Sequence, residues 1–183
     1  MQIKKYIAGN YSEALASIKR EMGSDALILT TRSIRDLRTI LEQLADYGPT
    51  TKDTDILTEY VRQALARPIT KQFQSTDGSL SVVTLNREVE ELIQSSIQKT
   101  ELASFLALEP TVAEKLLIKL QEAVETITPQ METSPVLLAS PGIRHHLRKF
   151  VERFIPDLAV LSHSEIIPSV QIKTLKVVDL NAN

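Results

Sequence analysis

The apolar positions along this chain change period several times, and each change marks an element. Residues 1–8, MQIKKYIA, alternate imperfectly, with Ile3, Tyr6 and Ile7 set against Gln2, Lys4 and Lys5, which suits an edge strand. From Ser12 the spacing becomes helical: Ala14, Leu15, Ile18 and Met22 share a face, and Gly23 supplies a left-handed stop. Residues 26–30, ALILT, are a continuous apolar run of the buried-strand type. This strand-helix-strand opening is too small to be stable alone.

At Ser33 the pattern turns helical again. SIRD offers an N-cap serine with an acidic residue three positions on, and Leu37, Ile40, Leu41 and Leu44 follow on one face until Tyr47-Gly48-Pro49. Asp53 or Thr54 caps a second helix with Ile56, Leu57, Tyr60, Val61, Ala64 and Leu65 inward, and Pro68 kinks or ends it. The short link between the two predicts an antiparallel helical pair.

Beyond the Asp77-Gly78 turn, short strands and helices interleave. LSVVTL (residues 80–85) is a strand rich in β-branched residues, and Asn86 caps a helix carrying Val89, Leu92, Ile93 and Ile97. A brief strand at residues 105–108 precedes Glu109-Pro110-Thr111, which opens a helix with Val112, Leu116, Leu117, Leu120, Val124 and Ile127 inward. After a polar connector at residues 129–134, PVLLASPG reads as a buried strand and tight turn. A helix follows with Ile143, Leu147, Phe150, Val151 and Phe154 on its apolar face and Arg144, His145, Arg148, Lys149, Glu152 and Arg153 on the rest, ended by Pro156. Residues 158–161 and 172–178 complete the set as two more strands, the last half-exposed. The expected class is α+β: an N-terminal strand-helix-strand unit (residues 1–32), a helical subdomain (33–78) and a small mixed αβ subdomain (79–183), with a junction near residues 75–79.

Composition narrows the function. With 43% hydrophobic residues among 183, a sizeable core is affordable, but at 4% aromatics and no Trp it must be aliphatic. A formal net charge of -2 supplies no field for a phosphate backbone, so nucleic acid is not the expected partner. The absence of cysteine removes disulfides, thiolate nucleophiles and Cys-ligated zinc, and fits a reducing cytoplasm. No window approaches the uninterrupted apolar length of a membrane span, and no secretory leader opens the chain as given.

No catalytic signature emerges. Ser140 lacks the flanking glycines of a nucleophile elbow, and no glycine pattern cradles a phosphate. Adjacent His145 and His146 point about 100° apart on a helix, which suits a structural or exposed role better than a shared metal ion. Glu88, Glu90 and Glu91 suit the N-terminus of their helix without any acid-base role. Arg144, His145, Arg148, Lys149 and Arg153 form a basic cluster that reads as a solvated face or as a surface for an acidic partner. No enzyme and no cofactor is expected, and function is sought in protein partners.

Two resemblances bear on that. SIRDLRTILEQLADYGPTTKD, LTEYVRQALAR, SVVTLNREVEELI, FLALEPTVAEKLL, PVLLASPGIRHHLRKFVERFIPDLAVLSHSEI and IKTLKVV, in that order over residues 33–178, resemble the C-terminal half of the cytoplasmic domain of the FlhA family, the flagellar type III secretion export gate. ADYGP and LTEYVRQAL favour the flagellar branch over the related virulence export gates. Residues 1–32 are similar to the N-terminus of the FlhF family of flagellar GTPases, without its GTPase module. The first resemblance implies a non-enzymatic component of the export apparatus at the cytoplasmic face of the inner membrane. In it the helical subdomain contributes to a ring, other export components are partners, and the terminal subdomain offers a docking surface. Arg35, Arg38, Asp46, Arg62 and Arg67 are then the assembly candidates, chosen for exposure, with Arg144, Arg148 and Lys149 as further contacts. The second implies contact with a MinD-like ATPase through Lys4, Lys5 and Tyr6. The alternatives are accordingly a regulatory adaptor for that ATPase, or an inert truncated fusion joined near Arg32-Ser33. FlhA proteins also carry transmembrane helices and two further cytoplasmic subdomains that have no counterpart in this sequence, which puts binding of chaperone-bound substrates in doubt.

Overall fold

The protein is described by a computed structural model covering residues 34–100, 104–130 and 133–181. The strand-helix-strand unit expected at residues 1–32, with Lys4, Lys5 and Tyr6, lies outside the described residues. Within them the class is α+β, with six α-helices, a four-stranded parallel sheet and a two-stranded antiparallel pair.

Helices α1 (Ile34–Tyr47) and α2 (Thr54–Ala64) form the expected pair. Asp53 caps α2, its carboxylate accepting from the Asp55 and Ile56 amides at 2.9 and 3.3 Å. Tyr47 and Tyr60 stack between the two helices with ring centroids 4.0 Å apart. A third helix, α3 (Ala66–Phe73), carries the chain past Pro68, so of the two readings of that proline the interruption holds and the end of the helical region does not. The chain breaks at Leu65, and Pro68 falls in the first turn of α3, where a missing N–H costs one bond to the preceding turn instead of ending the structure.

The sheet is β5-β4-β1-β6, built from β1 (Leu80–Leu85), β4 (Val136–Ala139), β5 (Ala159–Ser162) and β6 (Ile172–Val178), every neighbouring pair parallel. Period-2 alternation sorts its residues onto two faces. Val83, Leu85, Leu137, Ala139 and Val160 join the larger apolar cluster with α4 (Arg87–Ser95), α5 (Pro110–Ile127) and α6 (Pro141–Val151). Leu80, Val82, Val136, Leu138 and Leu161 face the other way, under Ile69 and Phe73 of α3 and under Ile166 and Val170 of the segment returning from β5 to β6. β4 is buried on both faces, as its unbroken apolar run implies, whereas β6 is exposed at every residue except Val178. A register shift against Val82 and Val83 of β1 bends β6, and together with Lys173 and Lys176 it blunts this edge against further pairing. The Asp77-Gly78 turn is pinned to the same strand. Gly78 takes φ +80, and Lys173 and Ser79 bond the Asp77 carboxyl and hold it well below the usual carboxylate range.

Four expectations are corrected here. Ile97 does not continue the helix after Asn86: Ser96 returns its hydroxyl to Leu92 O, and Ile97 opens β2 (Ile97–Lys99), which pairs with β3 (Ser104–Leu106). Asn86 holds the N-cap position, but its side-chain amide donates to Asp179 at the end of β6. α6 ends at Val151, well before Pro156, and this leaves Phe154 63% exposed instead of inward. Leu41 and Ile56, expected inward, are 43% and 44% exposed on the helical pair.

Candidate interaction site

The helical pair meets the sheet layer through charge. Arg144, expected on a solvated face, is only 4% exposed, because on α6 it precedes Leu147 by three positions and Val151 by seven and so flanks the buried stripe. Its guanidinium grips the Glu59 carboxylate of α2, with Nε 2.9 Å from both oxygens and Nη2 closing the fork. Nε also lies 3.5 Å from Oε1 of Glu165, a residue with no exposed surface. Arg62 of α2 pairs with the other oxygen of Glu165. A capping box in the short 3₁₀ turn after β5 completes the knot: Glu165 Oε1 accepts from the Ser162 amide at 3.2 Å and its hydroxyl at 3.0 Å. Thr70 of α3 donates to Glu165 O at 2.9 Å and accepts from the Ile167 amide.

Toward the start of α2 the seam continues with Asp55 against His145 and Lys149 of α6, at 2.9 and 3.6 Å. His145 Nε2 is buried and off the direction a hydrogen bond to that carboxylate needs. Arg148 turns inward as well, donating to Leu158 O at 2.8 Å. The basic cluster read from the sequence is therefore largely engaged inside the chain. Of the assembly candidates, Arg62 belongs to the seam, while Asp46, Arg67 and Arg38 are exposed, the last in an i,i+4 pair with Glu42. The Arg35 side chain lies outside the described residues. Sequence reasoning missed Glu59, Thr70 and Glu165. The SHSE capping-box spacing before Ile166 was a readable signal for Glu165.

Burial is the first cause lowering the pKa of both His145 and His146, and the Asp55 carboxylate only partly opposes it. The folded state thus binds protons less readily than the unfolded chain, whose histidines titrate near about 6.5. The stability this contributes is complete above that value and is lost as pH falls through it toward the lower folded pKa. Urea midpoints should drop as pH is lowered from neutrality through the histidine range, and a His145→Asn/His146→Asn variant should show a flatter profile there.

At the C-terminal ends of the strands, where open parallel sheets bind ligands, the chain supplies its own polar groups. Glu90 of α4 accepts from the Ser140 amide at the start of α6 at 2.9 Å. Its carboxylate takes the position an anion would occupy at that helix terminus, and the groove it lines with Glu91, Gln94 and Ser95 is shallow, about 320 Å³.

These features define a mixed αβ domain in which a helical pair is fastened by ion pairs to a helix-covered parallel sheet. The chain belongs to the FHIPEP family, whose model matches residues 25–171. It is 43% identical over 148 residues to the flagellar biosynthesis protein FlhA of Bacillus subtilis, covering 81% of this chain and 22% of that protein. The CdsV protein of Chlamydia pneumoniae, solved in complex with CdsO, is 40% identical with a TM-score of 0.72, over 81% of this chain and 44% of that one. A nonameric EscV cytosolic domain from a type III secretion system is 32% identical with a TM-score of 0.68, over 94% of this chain and 53% of that one. The chain therefore spans between about a fifth and about half of these relatives. The family match crosses the supposed joint at residues 32 and 33, and the EscV alignment is long enough to take in part of residues 1–32. The likeness of those residues to FlhF, with its MinD-like partner, draws no support from these relatives. Among the described residues no helix is long and apolar enough to cross a membrane.

Proposed function

We propose that this chain is a cytoplasmic portion of a flagellar type III export gate that works without catalysis, through contacts with copies of itself and with other export components. The observation that carries this reading is the 43% identity to a flagellar FlhA over four-fifths of the chain. The nonameric state of the EscV relative supports a ring, and the CdsV–CdsO complex supports a surface for a second protein. The exposed side of the helical pair fits the ring contact. Leu41 and Ile56 leave apolar surface there, Arg38 and Asp46 supply charges for register, and Arg67 adds an exposed charge on α3. The sheet layer then offers the docking surface, and localisation follows that of the gate, at the cytoplasmic face of the inner membrane.

Sedimentation velocity over a concentration series tests the assembly half of this reading. The chain should self-associate, and Arg35→Glu/Arg38→Glu should shift it to monomer at concentrations where the parent is assembled. A parent that stays monomeric, or a variant that assembles equally well, overturns it.

A further inference from the structure

The two apolar clusters treat the helices unequally. α3 sends Ile69 and Phe73 into the cluster beneath the sheet, whereas among the described residues neither cluster takes a side chain from α1 or α2. The seam joins that pair to the layer through charge: Glu59 to Arg144, Arg62 to Glu165 and Asp55 to Lys149, with His145 beside the Asp55 carboxylate. The seam is also imperfectly satisfied, because Arg62 Nε and His145 Nε2 are buried without a hydrogen-bond acceptor. Ion pairs removed from water return little net free energy when their hydrogen bonding is incomplete, and unmet groups tip the balance further. Apolar docking holds α3 down; α1 and α2 bury one apolar side chain each, Ile40 and Val61, which join neither cluster, and it is the charged seam that latches α2 to the layer.

Between the two lies a break written into the sequence. Leu65 is at once the last cap of α2 and the first of α3, with φ -91 and ψ 17 outside the helical range. Pro68 has no N–H to offer the Ala64 carbonyl, so the backbone ladder is interrupted at that point. A pair of helices fixed through one interrupted turn and a polar seam has a pivot and a catch.

We propose that α1 and α2 form an arm that pivots at Leu65, held against the sheet layer by the Glu59–Arg144 and Arg62–Glu165 latch. Releasing the latch swings the arm while α3 and the sheet stay folded. Arg144 and Glu165 can still pair with each other when the arm leaves, so the layer is not left with an isolated buried charge. If the arm makes the ring contact proposed above, the latch sets the angle between ring and docking layer, but the hinge itself does not depend on that assignment.

The chain has no cysteine, so spin labels can be placed at will. Ala45→Cys on α1 and Lys115→Cys on α5, in the full chain at concentrations where it is monomeric, report the arm's position by double electron-electron resonance. The parent should give one distance. Glu59→Gln/Arg62→Gln should add a second distance at about a tenth of the population or more, the upper end of the range in which a minor conformer is ordinarily populated. Amides of β1 and β4 should keep their protection from hydrogen exchange. An unchanged distribution in Glu59→Gln/Arg62→Gln overturns the latch, and simultaneous loss of protection in β1 and β4 overturns the arm as an independent unit.

Discussion

Arg144→Ala should lower the free energy that holds α1 and α2 to the sheet by about 3 kcal/mol, the low end of the cost of removing one partner from a buried ion pair. The cost falls at the low end for two reasons. Glu165, with no exposed surface, still keeps Arg62 and the Ser162 amide and hydroxyl, and Glu59 is partly exposed and can rehydrate. The lost packing of a nearly buried guanidinium acts in the opposite direction. Hydrogen exchange of α2 amides reads the effect directly, as roughly a hundredfold loss of protection, since about 1.4 kcal/mol corresponds to a factor of ten. Arg38→Ala is the control. Its pair with Glu42 is exposed and local, so it should change protection by less than about 0.5 kcal/mol. Equal effects of the two substitutions would mean that the seam contributes no more than a surface ion pair.

The seam also explains what could and could not be read from the sequence. Elements whose signals are local were legible: Asp53 as a cap, Pro110 at a helix start, the alternation of residues 80–85 and the unbroken run of β4. Each follows from a side chain acting on backbone within a few positions. The misses share a different origin. Ile97 fits a helical face as well as a strand, and only the partner strand at Ser104–Leu106 decides between them. Pro68 reads equally as a kink or a stop, and only the break at Leu65, which puts the proline in the first turn of a new helix, decides between them. Arg144 looked solvent-facing because its carboxylate partner sits 85 positions away, and a lone basic residue beside an apolar stripe carries no mark of that pairing. Phe154 was aligned with a helical face that the chain abandons at Val151. Of the candidate site, the arginines were found, but the direction in which they point was not.

Leu137→Ala should cost the whole domain about 2–5 kcal/mol, the range for truncating a fully buried leucine. Leu137 has no exposed surface, and its strand is flanked by β1 and β5, so no relaxation of an edge can fill the space. It faces the cluster that gathers α4, α5 and α6 onto one side of the sheet, so the void opens where three helices and the central strands meet. The loss should therefore appear as a lower urea midpoint with the slope unchanged, and equally in probes on α5 and on β1. Val177→Ala tests the same chemistry at the opposite extreme: half exposed on edge strand β6, it should shift stability by no more than about 0.5 kcal/mol. The contrast with the seam is the informative part. A core truncation should release α1 and α2 only by unfolding everything beneath them, whereas breaking the latch should release them alone. Leu137→Ala variants that lose arm protection before sheet protection would place α1 and α2 on the core after all, and the division between a packed layer and a charge-held arm would fail.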